Sequence, residues 1–559
     1  MLLSVIKPRH LPALTTKNTS KAMRGNILSA DGFTLASTSK LYKAVVNTRY
    51  IDPDKKELFI ELFSIYSGIQ AKTIRKKLSK RKGPVVLSYT MSQKRAQYLK
   101  KLSYELRRYK VFIPLPNAKT GIKSIHGLSI LESGESREYP YKTLLTPIIG
   151  YTHKTENNGY TTIQGIKGIE KKFEPDLLAR VDELSQGKRD VNSYIILNKE
   201  SFTKQQLNGL DVKLSIPVNI QIRVEKMLDT MKIELKAKEI MICVMDSTTG
   251  KILSIASSNR YIPKAIKKSD YPSLNSGMIE YSFEPGSVMK TIVFSLLLDK
   301  GRINPYDLVN GHNGRYKIGR KTITDEHKFD WLSAENVIVH SSNIGIAQLS
   351  QKLSGIEFNK GLRRFGFGSA STPDLVYEKT GYVPDSIRLG KEIYKATCSY
   401  GYGIKVNLMQ LVRAYSAFNN NGKMATPQLI DALVDEYERE IKIPIYEQIQ
   451  VIKPATAQRV QKILIKTVNK GTGVKAITPG LVIGGKTGTA HIVENSKYVK
   501  KYNTAFIGFV NDQTHKYTLG VVVIQPKKSQ FAAQTAVPVF KKTIDILVNE
   551  NYLKPKIIE

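Results

Sequence analysis

The spacing of apolar and polar positions divides this chain into a weakly patterned first part and a strongly patterned second part. From Val218 to about Ala237 apolar residues recur with a helical period, and the apolar run Ile240 to Met245 reads as a strand. Asp246-Ser-Thr-Thr-Gly250 supplies turn residues, and Lys251 to Ala256 reads as the returning strand of a hairpin. Helical patterns follow between residues 287 and 420. Leu481–Ile483, Thr504–Val510 and Tyr517–Ile524 then read as successive strands, and Phe531–Leu547 as a closing helix. Hairpin, helical block, strand meander and closing helix predict an α+β fold for residues 215–559.

Before residue 215 the signals are shorter. Tyr42–Val46 and Val85–Tyr89 read as strands among helical patterns, and Tyr104–Ile113 fits neither period. Val181–Asp190 and Asn208–Val212 are polar and contain Gly187 and Gly209, so they predict a loop and a linker.

Composition narrows the classes. A chain of 559 residues with 41% hydrophobic residues has room for several domains with real cores. Lys and Arg number 86 against 48 Asp and Glu, a net charge of +38. That balance favours an anionic partner: nucleic acid, phospholipid or an acidic polymer. The densest cluster, Lys72 to Lys82, has no interleaved aromatic residue and predicts a solvated helix face rather than a base-stacking surface. Cys243 and Cys398 lie in apolar segments and predict buried free thiols, with a single bridge as the alternative. The histidines are scattered without metal-ligand spacing, so no metal site is predicted. Residues 1–6 are uncharged and precede Lys7, Arg9 and His10. This is shorter than the roughly 20 apolar residues a membrane span needs. It reads as the tail of a span, an ordinary cytosolic start being the alternative.

Three short motifs could assemble a serine acyl-transfer site: S-x-x-K, S-x-N and K-T-G. Each recurs elsewhere in this Lys-rich chain, so context decides. At Glu284-Pro-Gly-Ser287-Val-Met-Lys290, Pro285 and Gly286 mark a helix start and an apolar run follows to Leu298. Spacing i, i+3 puts Ser287 and Lys290 on one helix face. A helix N-terminus offers free N–H groups to an oxyanion. Burial of the following run would desolvate Lys290 and let its amine act as a base. Ser341-Ser342-Asn343 stands between two helical patterns, where a loop could present a hydroxyl and an amide together. Gly484-Gly485-Lys486-Thr487-Gly488-Thr489-Ala490 surrounds a lysine with small residues, so a substrate could lie against the strand while Lys486 and the threonines bind a carboxylate. Gly480 to Thr487 also matches the phosphate-binding pattern G-x-x-x-x-G-K-[ST]. Pro479 before it, strand-like Leu-Val-Ile within it and Gly488 after it argue against that reading.

Taken in order, these motifs resemble class B penicillin-binding proteins of the division type, the FtsI or penicillin-binding protein 3 group. The likeness runs from about residue 22 onward. Arg24-Gly-Asn-Ile27 through Asp31-Gly32 to Leu35-Ala36 is similar to the family's opening motif, and Gly165-Ile-Lys-Gly-Ile-Glu170 to its pedestal motif. Gly209-Leu-Asp-Val212 to Ile220-Gln221 resembles the start of the transpeptidase domain. Ser399-Tyr-Gly-Tyr-Gly403 with Ala414-Tyr415, and Lys497-Tyr498 to Phe506-Ile-Gly-Phe509, resemble segments flanking the site.

The resemblance implies an elongated mixed α/β pedestal over 22–214 and a penicillin-recognising transpeptidase domain, an antiparallel sheet flanked by helices, over 215–559. Residues 1–21 would be the remnant of a single-pass inner-membrane anchor, with the catalytic domain in the periplasm at the division septum. Ser287 would be the nucleophile and Lys290 its base, with Ser341 and Lys486 relaying protons. Asn343, Thr487, Gly488 and Thr489 would bind the stem peptide. The implied partners are peptidoglycan stem peptides, β-lactams as covalent inhibitors, a membrane glycosyltransferase of the FtsW type and divisome proteins. No cofactor, metal or nucleic acid is implied. A carboxypeptidase or β-lactamase of the same fold, an idle sensor, and a basic nucleic-acid-binding protein are the competing readings.

Overall fold

The computed structural model describes residues 15–80, 82–116, 123–125, 127–157, 159–188, 195–196, 198–319, 321–494 and 497–557. The segment read as an anchor remnant lies largely outside them. Among the described residues no helix is long and apolar enough to cross a membrane.

The second part is built on five antiparallel strands. These are β1 (Glu239–Asp246), β2 (Ile252–Ser257), β3 (Val482–Glu494), β4 (Lys497–Asn511) and β5 (Lys516–Ile524), in the spatial order β2-β1-β5-β4-β3. The predicted hairpin is present, with Cys243 opposite Ile255. Strands β1 and β5 read as long apolar runs because both sheet faces are covered. Successive side chains alternate sides. Met241, Cys243 and Met245 join one core, while Ile240, Ile242 and Val244 join the other. Helices α1 (Val218–Leu235) and α7 (Ala536–Asn549) close the second face. The first is closed by α2 (Met289–Asp299), α3 (Ala334–Val339), α4 (Asn343–Ser350), α5 (Leu408–Asn419) and α6 (Pro454–Lys470). Cys243 and Cys398 are buried free thiols, as their surroundings predict.

In the first part a long strand, Thr34–Asn47, pairs with Pro84–Ser92 on one side and Leu128–Glu138 on the other. Helices Lys56–Ser67, Ala71–Ser79 and Gln93–Arg108 pack on this sheet around Phe59, Phe63 and Phe112. The unassigned Tyr104–Ile113 stretch is the end of the third helix and the chain leaving it. The basic cluster lies on a helix as far as Ser79, where Ile74 and Leu78 are buried, although Lys77 Nζ donates to the Leu87 carbonyl at 2.7 Å.

Two loop predictions are wrong. Glu183–Lys188 is a strand pairing with Thr15–Ser20 and Phe202–Lys204. The supposed linker ends in a strand, Asp211–Leu214, which runs parallel to Ile27–Leu28 and antiparallel to Ile430–Val434. Its polar residues face outward while Val212 and Leu214 are fully buried, a period-2 pattern too short to stand out from its neighbours. This strand joins both parts of the chain in one sheet.

The opening and pedestal motifs meet in a buried ion network. Arg24 Nη2 lies 2.7 Å from Glu170 and 2.8 Å from Glu174, and Arg137 Nε lies 2.6 Å from Glu170. Arg137 also donates to the Gly25 carbonyl at 2.7 Å. Burial works against the Arg24 charge, but the two carboxylates outweigh it and raise its pKa.

Candidate active site

The three motifs converge on one cleft of about 380 Å³, lined by Ser287, Ser341, Asn343, Thr487 and Thr489 among others. Ser287 sits in a 3₁₀ turn, Gly286–Val288, that leads directly into α2. The turn is pressed against strand β3. Gly286 has φ +60°, and a Cβ there would lie 2.5 Å from the Thr489 carbonyl oxygen. Only glycine fits such an approach without strain. On the strand side, a Cβ on Gly488 would meet the Pro285 carbonyl at 2.7 Å. Gly488 is thus small for contact between strand and turn, and does not itself line the cleft. The Tyr415 hydroxyl of α5 donates to the Val288 carbonyl at 2.6 Å and fixes the turn from beneath.

Lys290 lies one helical turn after Ser287 and is fully buried. Its Nζ donates to the Ser341 carbonyl at 2.5 Å and to the Ser341 hydroxyl at 3.2 Å. Desolvation lowers its pKa to about 7; Asp325 and Glu326 pull the other way without overcoming burial. Ser341 has φ +59°, a left-handed conformation costly for a residue with a side chain. That backbone turns both its carbonyl and its hydroxyl to the lysine. Ser342 caps α4, accepting from Gly345 N at 2.8 Å. Asn343 reaches the cleft and donates from Nδ2 to the Thr324 carbonyl at 3.0 Å.

Lys486, on edge strand β3, is also fully buried. Its Nζ lies 3.3 Å from both the Thr487 carbonyl and Oγ1. Desolvation lowers its pKa well below the ordinary value, and the nearby Lys290 amine adds to that. Thr487 Oγ1 also shares a 2.7 Å hydrogen bond with Thr472. Residues 480–487 pass into strand rather than into a helix, which removes the phosphate-loop reading.

Sequence reasoning missed Asp325. Its carboxylate accepts from Ser342 Oγ at 2.5 Å and from the N–H groups of Asn343 and Ile344 at 2.5 and 3.1 Å. It holds the S-x-N loop in place, yet it sits in a polar stretch without periodic signal. Thr472, which braces Thr487, carried none either.

A half-exposed serine, two water-stripped amines and an edge strand are groups that serine acyl transfer uses. The sequence profile of the penicillin binding protein transpeptidase domain matches residues 240–545, and that of the penicillin-binding protein dimerisation domain matches residues 19–214. The chain therefore belongs to the penicillin-binding protein transpeptidase family. It is 30% identical over 345 residues to the probable peptidoglycan D,D-transpeptidase PenA of Neisseria flavescens, covering 61% of this chain and 83% of that protein. It is 25% identical over 543 residues to the peptidoglycan D,D-transpeptidase FtsI of Buchnera aphidicola, covering 95% and 88%. Its fold is similar to that of penicillin-binding protein 3 from Mycobacterium tuberculosis in complex with aztreonam, with TM-score 0.69, 21% identity and coverage of 97% and 98%.

Proposed function

We propose that this chain cross-links peptidoglycan as a D,D-transpeptidase acting through an acyl-enzyme on Ser287. The observation that carries this reading is the Lys290 amine, stripped of water one turn from the Ser287 hydroxyl and bonded to Ser341. Near neutral pH a large share of it is unprotonated and able to take the serine proton. Ser287 Oγ attacks the penultimate D-Ala carbonyl of a stem peptide. The N–H groups of Ser287 and Thr489 hold the oxyanion, and Asn343 holds the peptide backbone. Lys486, Thr487 and Thr489 bind the terminal carboxylate. Ser341 then carries a proton to the departing D-Ala nitrogen, and an amine from a second stem peptide takes the acyl group. β-Lactams acylate the same oxygen.

Residues 15–214 serve as the pedestal, because the strand Thr15–Ser20 at the end of the segment read as an anchor pairs with Glu183–Lys188. Residues 215–559 serve as the catalytic unit, and the anchor reading is kept for residues 1–14. The site of action is the periplasmic face of the division septum, alongside a membrane glycosyltransferase and divisome proteins. The names of the FtsI relatives, peptidoglycan D,D-transpeptidases, support the chemistry of this reading. Labelling by a fluorescent penicillin tests the chemistry. Ser287→Ala is expected to abolish labelling while circular dichroism stays unchanged, and full labelling of that variant would overturn the assignment. Rapid release of the label would favour a hydrolase instead.

A further inference from the structure

A second groove of about 360 Å³ lies in the first part of the chain, apart from the acyl-transfer cleft. One wall is Lys100, Ser103, Tyr104 and Arg107, whose spacing places them on one face of helix Gln93–Arg108. The opposite wall is the strand segment Leu128–Leu131. That strand is paired along one side with Ser37–Val46. On its other side, among the described residues, the only register partner is Thr161 opposite Gly134. Among the described residues Leu128–Leu131 is therefore an open sheet edge beside a helix. The Ser103 hydroxyl donates to the Leu128 carbonyl at 2.5 Å, which turns that carbonyl away from the paired strand. In an antiparallel strand, alternate residues present N–H and C=O to the same edge. Ile130 thus presents its own pair to the groove.

Charge and exposure select the occupant. The helix carries Lys94, Arg95, Lys100, Lys101, Arg107 and Arg108 against the single acid Glu105. Among the described residues neither Lys100 nor Arg107 is in an ion pair; Lys100 only overlies the Tyr42 ring at 5.5 Å. Tyr104 is 67% exposed and Leu131 50%, so the groove offers apolar contact between its cations. We propose that this groove docks an extended, acidic peptide segment of a partner protein, which adds as a further strand along Leu128–Leu131. Main-chain bonds give such a complex its register, and the flanking cations give it its charge preference. A second copy of this chain is a poor occupant, because its net charge of +38 opposes self-pairing.

Selection of random displayed peptides on the intact protein, followed by synthesis of those enriched, tests the proposal. The enriched peptides are expected to be acidic and rich in β-branched residues. They should bind the K100E/R107E variant at least about tenfold more weakly and slow amide exchange at Ile130. L131D, at an exposed site, should weaken them as well, and penicillin labelling should be unchanged in both variants. Three results would overturn the proposal: no enrichment, enriched peptides that bind K100E/R107E equally, or binding that leaves Ile130 exchange unaltered. If phosphatidylglycerol vesicles bind through Lys100 and Arg107 while no peptide does, the groove is a lipid contact and the proposal fails.

Discussion

The pedestal and the catalytic cleft both bury cations, and they treat them in opposite ways. Arg24 and Arg137 are buried against the carboxylate of Glu170, so their charge is kept. Lys290 and Lys486 are buried with hydroxyl and carbonyl oxygens as their nearest partners, so their charge is costly. One arrangement fixes the geometry of two motifs. The other lowers the pKa of both amines and brings that of Lys290 to about 7, where it can take a proton near neutral pH. What separates structure from chemistry here is the presence of a contacting counter-ion, since burial is common to both.

The comparison can be broken from the catalytic side first. Lys290→Met should lower the rate of penicillin acylation by about 10²–10⁴, the usual worth of a general base. Thermal stability should hold or rise, because a costly buried amine is removed. A large loss of stability would show that Lys290 acts as a structural cation like Arg24.

On the pedestal side, Glu170→Gln leaves two buried guanidiniums short of a carboxylate. It should cost about 3–5 kcal/mol in chemical denaturation, while the acylation rate per folded molecule stays unchanged. A small cost would mean that Glu174 and the backbone carbonyls suffice.

The pH dependence sharpens the contrast. Acylation should rise as pH increases through about 7, where Lys290 loses its proton. In the unfolded chain that amine keeps its proton up to about 10.5. Between those values the unfolded state binds the extra proton, so stability should climb with pH, and below 7 the full burial cost remains. A flat acylation profile from pH 6 to 8 would remove Lys290 as the base. The smallest expected effect is Arg75→Ala. It breaks exposed pairs to Glu57 and Glu61 and should leave the melting temperature unmoved.

The sequence revealed the catalytic unit more fully than the pedestal, for physical reasons. A sheet covered on both faces writes long apolar runs, so Ile240–Met245 and Tyr517–Ile524 stand out. Short strands such as Asp211–Leu214 expose half their residues and sit among glycines, so they look like linkers. The gathering of the candidate residues Ser287, Lys290 and Lys486 was legible because the chemistry proposed for them demands local sequence context. Asp325 was not, because its role depends on a helix N-terminus that approaches it through the fold. Gly488 was picked out as a residue under a substrate, whereas its small size also answers the close approach of Pro285.

Strand Asp211–Leu214 has a mechanical consequence. Its ladder runs from Ile27 through Val212 to Leu433 without a hinge. Tension applied at the N-terminal end loads these hydrogen bonds together, in shear, before any flexible tether could absorb it. A fragment cut at residue 215 would lose this strand and leave Ile430–Val434 without the ladder it makes with Asp211–Leu214.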